Sequence, residues 1–213
     1  MCSSDLHLRY HDFFASSSPG SPIEHTYRSH TFRGATDQVL ALTYKAGGCL
    51  WTLTEREREF PGLDPDLAAL IPISSNERIE LNTSAPALPP AAIGPEPTRS
   101  YCYTFQRLRS AEQADDLEAA RRLAAQLEND PELRPGDPFD YIPAVLAFAA
   151  IGNETQALRA AEFVLTHDGN RAFLCGQLTR TAYSGEVPGT REAVSSAIGC
   201  VPESGGNEVQ SPQ

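Results

Sequence analysis

Five cysteines, at positions 2, 49, 102, 175 and 200, and five histidines, at 7, 11, 25, 30 and 167, are the side chains best suited to act as nucleophiles, bases or metal ligands. No Cys-x-x-Cys pair occurs among them, so a structural zinc site is not expected. Reduced cysteines commonly serve as small core hydrophobes. In an oxidising compartment they pair instead, and Cys102 and Cys175, each beside aromatic residues (Tyr101, Tyr103, Phe173), are the first pairing to test. A hydrolase nucleophile at Cys49 or Cys175 is the remaining thiol chemistry, and no motif positions a base for either.

The other polar constellations read as structure. His11-Asp12 and His167-Asp168 put a carboxylate next to an imidazole in sequence, but neighbouring side chains rarely point together, and no Ser or Cys sits in a nucleophile-elbow context. His25 and His30 are five apart in a strand-like run, which places them on opposite faces of a sheet and excludes a shared metal. Asp115, Asp116 and Glu118 are accounted for as a helix start, where the dipole favours negative charge. Gly47-Gly48 is a turn with no helix after it, so it is not a phosphate loop. No catalytic, cofactor-binding or metal-binding residue is expected, and no cofactor.

The elements that carry these residues fall into two kinds, an α+β chain with its strands first. The 213 residues suit one medium domain or two small ones, and the 40% hydrophobic content supports a core. A net charge of -11 argues against a nucleic-acid partner, which would need a basic face. The longest apolar run, Ala144 to Ile151, has eight residues, far short of the roughly 18 to 20 of a membrane span. Residues 1–22 are irregular. Residues 23–82 form a small β-rich unit: runs at Ile23 to Arg33, Gln38 to Tyr44 and Cys49 to Thr54 make a three-stranded antiparallel meander, turning at Gly34 to Asp37 and at Ala46-Gly47-Gly48. Asp64-Pro65 opens a short helix to Ile71. The proline-rich stretch 83–98 is an extended linker and the domain boundary.

Residues 99–199 are helical. Tyr101 to Gln113 is one helix, and Asp115-x-x-Glu118 is a capping box for a second, about Asp116 to Asn129. Asp140 caps a third that Gly152 closes, Asn153 caps a fourth from Glu154 to Thr166, and two more run about Arg171 to Tyr183 and Thr190 to Ile198. Residues 200–213 read as a disordered tail. The first two helices superimpose on the next two when Ala120 is placed over Ala157, an offset of 37. A tetratricopeptide-like unit wants small residues where the helices of a hairpin touch, as at Ala120, Ala124, Ala157 and Ala161, and large ones on the first helix, as at Tyr141, Val145 and Phe148. A small antiparallel bundle uses the same alanine spacing and stays open as the alternative.

Met1 to Leu6 lack the basic and apolar regions of a secretion signal. They match the translation of a common sequencing-adapter end, so the expectation is that they are an artefact and that native sequence lies upstream; a short disordered N-terminus is the alternative. The order of Ile23 to Phe32, Gly34, Gly48-Cys49-Leu50-Trp51-Thr52-Leu53, Leu70-Ile71-Pro72-Ile73-Ser74, Gly94-Pro95-Glu96-Pro97, Tyr101-Cys102-Tyr103-Thr104-Phe105-Gln106 and Leu174-Cys175 resembles the soluble C-terminal region of bacterial multi-pass membrane proteins that are similar to C-type integral-membrane glycosyltransferases. The resemblance implies that the catalytic carboxylate and the lipid-linked sugar site lie in a membrane domain upstream, and that none of their residues falls on this chain. The expected function is a non-catalytic extracytoplasmic interaction or capping module, its partners the missing N-terminal membrane domain of the same chain and another protein. The alternative is a free-standing cytoplasmic tetratricopeptide-like adaptor.

Overall fold

The computed structural model describes residues 18, 20–38, 40–45, 47–74, 79, 100–130, 132–180 and 182–200. The adapter-like residues 1–6, the whole proline-rich stretch 83–98 and the tail 201–213 lie outside them. The fold is α+β, with two small antiparallel sheets and a helical region. Two units divide the chain, Met1–Gln106 and Arg107–Gln213.

In the first unit, β1 (Pro22–Tyr27) pairs with β2 (His30–Ala35), and β3 (Ala41–Tyr44) pairs with β4 (Leu50–Leu53). The single strand expected from Ile23 to Arg33 is thus a hairpin, with Arg28 in the left-handed region at φ 54°. Nothing in the sequence advertises that turn, because the residue taking positive φ is an arginine rather than glycine or asparagine. The register pairs His25 with Phe32 and Tyr27 with His30, so positions 25 and 30 fall on one face of the ribbon, not on opposite faces. No meander forms either. A 3-10 turn at Thr36–Gln38 separates the hairpins into two sheets, and Thr36 is held there by its hydroxyl, which donates to Ser18 O and accepts from Ser21 N.

The second hairpin follows the expected turn, with Gly47 at φ 80°. Its strands alternate. Ala41, Trp51 and Leu53 are buried on one face, and Leu42, Tyr44 and Leu50 are exposed on the other. Thr54 caps the next 3-10 turn: Glu57, fully buried, accepts from the Thr54 backbone N–H at 2.9 Å and from its hydroxyl at 2.6 Å. Asp64 caps α1 (Pro65–Ala68), with Pro65 in the first turn as expected. The helix ends before Ile71, which opens a 3-10 turn through Pro72 instead.

The inner face of the β3–β4 ribbon is covered within the same unit. Trp51 meets Phe60 edge-on at 5.4 Å and Phe105 at 4.9 Å. Phe105 belongs to α2 (Tyr101–Gln113), whose residues up to Gln106 cluster with the β unit. The division of the chain therefore falls inside a helix rather than in the proline-rich stretch. The physical reason is local: Cys102 is bonded to Cys49, and Gln106 Nε2 donates to Leu50 O at 2.6 Å.

The second unit is built around α4 (Ile142–Ala150), every residue of which is buried. The eight-residue apolar run is a core helix, hydrophobic all round because neighbours surround it. It packs against α3 (Leu117–Asn129), α5 (Glu154–Val164), α6 (Arg171–Leu178) and α7 (Thr190–Ala197). Asn153 caps α5 as expected, its side chain accepting from Gln156 N. Gly152, at φ 82°, ends α4, and a Cβ there would stand 3.1 Å from Val187. The turn thus needs glycine twice, for its backbone and for the space.

Three expectations change in this unit. The N-cap of α3 is Asp116, whose carboxylate accepts from Ala119 N; Asp115 is not the cap. Asp137, not Asp140, caps the segment before α4, which starts as a 3-10 turn over Pro138–Tyr141 with Asp140 buried inside it. The helix expected to reach Tyr183 stops at Leu178. The chain beyond it turns back, and Val187 N donates to Ala150 O at 2.8 Å.

Asp115 is instead a long-range tie. At φ 54°, it accepts hydrogen bonds from the Ser184 hydroxyl and, at 2.7 Å, from the Ser184 backbone N–H. These two donors hold its carboxyl below the ordinary carboxylate value, the hydroxyl contributing most. A depressed carboxyl stabilises the fold above its ordinary value, and that contribution is lost as pH falls through the folded value. The Ser184 amide resonance is expected to follow this acid titration in the native protein. In Asp115→Asn, which tolerates the left-handed backbone, it is expected to lose that dependence.

Candidate functional site

All four described cysteines are half-cystines: Cys49 pairs with Cys102 and Cys175 with Cys200. This corrects the expected Cys102–Cys175 bridge. Cys102 sits near the start of α2 beside buried Tyr101, where that helix meets β4, so its reach is to Cys49. Cys175 on α6 faces the end of α7, where Arg171 Nη1 also donates to Ile198 O. Cys200 is therefore anchored and does not begin a loose tail. A thiol nucleophile at Cys49 or Cys175 is ruled out in this state, because a disulfide sulfur has no thiolate to attack with.

His7 and the His11-Asp12 pair lie outside the described residues. His167 is exposed, its Nδ1 lying 3.3 Å from the neighbouring Thr166 hydroxyl. Among the described residues no group of three or more His, Cys, Asp or Glu is placed to hold a metal ion. Among the described residues no helix is long and apolar enough to cross a membrane.

The seven repeat residues have a defined place. Ala120, Ala124, Ala157 and Ala161 are each fully buried, and Tyr141, Val145 and Phe148 are buried beside them. Alanine at these contacts lets helix axes approach closely, which both the tetratricopeptide-like unit and a plain antiparallel bundle require. Tyr141 stands in the 3-10 turn rather than on the helix proper.

One concavity in this unit combines apolar and charged walls. It holds about 180 Å³ between α3, α4 and α5, with Leu127, Phe148 and Ala160 as apolar lining. Tyr141 and Phe163 form an aromatic wall, edge to face at 5.5 Å. The Arg134 guanidinium lies 5.9 Å from the Phe163 ring centroid, a cation–π distance. At the rim Gln156 Nε2 donates to Glu128 Oε1 at 3.2 Å, and Arg159 is exposed. Burial raises the Tyr141 phenol above its ordinary value and Arg134 opposes the shift, so the hydroxyl keeps its proton at neutral pH. The sequence marks Gln156 only as part of the Asn153-x-x-Gln156 cap and does not mark Arg134, Arg159 or Phe163. A signal existed for three of them, since 156, 159 and 163 follow helical spacing along one side of α5, next to the inward alanines.

A second, more open concavity lies between α6 and α7, bounded by Leu178, Thr179, Arg191, Ser195 and Cys200. Arg191 Nη2 pairs with Glu186 at 2.9 Å, while its Nε and Nη1 are buried with no hydrogen-bond partner. These two donors are sealed from solvent. In the first unit, the exposed apolar face of Leu42, Tyr44 and Leu50 is a separate surface feature. No family model, no curated protein and no solved structure matches this chain.

Proposed function

We propose that this chain is a non-catalytic extracytoplasmic interaction module, the C-terminal region of a protein whose membrane part is glycosyltransferase-like. The observation that carries the reading is the pair of disulfides, which uses every described cysteine. Such bridges persist in oxidising compartments and are rare in the reducing cytosol. The exposed Leu42, Tyr44 and Leu50 face and the cleft on the helical unit supply surfaces for contact, whereas no described cluster supplies a nucleophile, a base and an orienting group together.

The helical unit carries the protein-contact role through a tetratricopeptide-like hairpin pair, supported by the buried alanines at matched positions 120 and 157. The same hairpins would serve a free-standing cytoplasmic adaptor, which would keep its cysteines reduced. Peptide mapping without reduction, on protein from its native cells, distinguishes the two. The expected result is a Cys49–Cys102 and a Cys175–Cys200 peptide. Four alkylatable thiols in freshly quenched cells would overturn the extracytoplasmic placement. The membrane attachment is tested by reading the gene upstream of His7, where apolar spans of about 20 residues are expected.

A further inference from the structure

We propose that the cleft between α3, α4 and α5 seats one aromatic side chain of a partner protein segment whose flanking residues are acidic. This deepens the interaction-module reading and rests on it. Size comes first. A cleft of about 180 Å³ is below the roughly 300 Å³ at which sites for whole cofactors or drug-sized molecules begin. It is close to the about 150 Å³ of an apolar cavity that holds a single benzene ring. The occupant is therefore one ring, the size of an anchoring residue. Its chemistry follows from the walls: the Tyr141–Phe163 pair gives an aromatic side above the nearly buried Leu127, Phe148 and Ala160, and Arg134, Gln156 and Arg159 give a polar rim. Buried aromatic anchors are the residues that dominate protein interfaces.

Charge decides what flanks that anchor. Two guanidinium groups, Arg134 and Arg159, border the cleft against the single carboxylate of Glu128, which is already engaged by Gln156. The cleft is thus locally positive on a chain of net charge -11. A basic segment would be drawn to most of this protein and repelled here. An acidic segment is disfavoured by the net charge and accepted by the two guanidinium groups here, so the charge pattern favours this cleft. Arg134 is positioned by the Phe163 ring, while Arg159 stands exposed beside it and is the one arranged to meet a flanking carboxylate.

The test uses the full oxidised chain and blocked peptides, N-acetylated and C-terminally amidated so that no terminal charge contributes. Asp-Asp-Phe-Asp is titrated while the backbone amides of α5 are followed by NMR, with an expected Kd on the order of 1 mM. Asp-Asp-Ala-Asp is expected to bind about ten- to a hundredfold more weakly, through loss of the buried ring. Lys-Lys-Phe-Lys is expected to lose about tenfold. Arg159→Gln is expected to weaken the acidic peptide about three- to fivefold and to leave the fold intact, since Arg159 is exposed. Equal binding of the lysine or alanine peptide, or an unchanged affinity in Arg159→Gln, overturns the proposal. So does 3-phenylpropionate binding as tightly as the peptide, which would make the ligand a small organic acid. None of these outcomes depends on the disulfides in native cells or on a membrane part, so their failure is separate from failure of the broader reading.

Discussion

Replacing Cys49 and Cys102 together by serine is expected to destabilise the β unit by about 4 kcal/mol, the chain-entropy value for a closed loop the size of the 53-residue separation. The effect is large relative to what else holds this unit. Its sheets have two strands each, and a two-stranded ribbon is marginal without a packing partner. The bridge also ties α2 to the residue that leads into β4, the strand carrying Trp51 and Leu53 into the core. Trp51 is the sole tryptophan, so its fluorescence during denaturant unfolding reports on this unit alone. The double variant is expected to unfold at a much lower denaturant midpoint. An unchanged midpoint would mean that the bridge constrains nothing the packing has not already fixed. The 25-residue separation of Cys175 and Cys200 gives about 3.5 kcal/mol by the same relation.

Phe105→Ala is the second large effect, expected to cost about 3–5 kcal/mol, as for other buried phenylalanines replaced by alanine. Phe105 is 1% exposed and its ring lies against Trp51. Deleting the ring removes an aromatic contact of the indole and leaves a cavity that two short hairpins cannot close by collapse. Trp51 emission is expected to shift to longer wavelength as water reaches it. Gln106→Ala is the control on the next residue. It removes only the hydrogen bond to Leu50 O at an exposed site, and its expected cost is about 0.5–1.5 kcal/mol. A Phe105→Ala cost no larger than that would mean the first turns of α2 are not what seals the ribbon.

How much of this was legible beforehand depends on the distance over which each feature is decided. The caps at Asp64 and Asn153 follow from a polar residue ahead of a helical run, and the donor each satisfies is two or three residues away. The Gly47 turn and the inward alanines of α3 and α5 are local in the same sense. The misses are of another kind. Asp115 looked like a cap, yet its partner is Ser184, 69 residues on, and Asp116 took the cap instead. The hairpin at Arg28 was hidden because strand pairing, not residue preference, put a non-glycine at positive φ there. Of the cleft, Tyr141 and Phe148 were singled out, but as packing residues. Arg134 was not foreseen, because it enters from the connection before α4 and only meets Phe163 once the chain has folded back.

The sequence by itself determined the α+β order of elements and most helix starts. Each rests on composition or on interactions spanning a few residues. Only the tertiary structure decided which cysteines pair, where α2 divides between the two units, and that arginine and aromatic side chains converge on one cleft. Those outcomes join residues tens of positions apart, and spacing along a chain carries no information about which distant side chains its folding will bring within bonding reach.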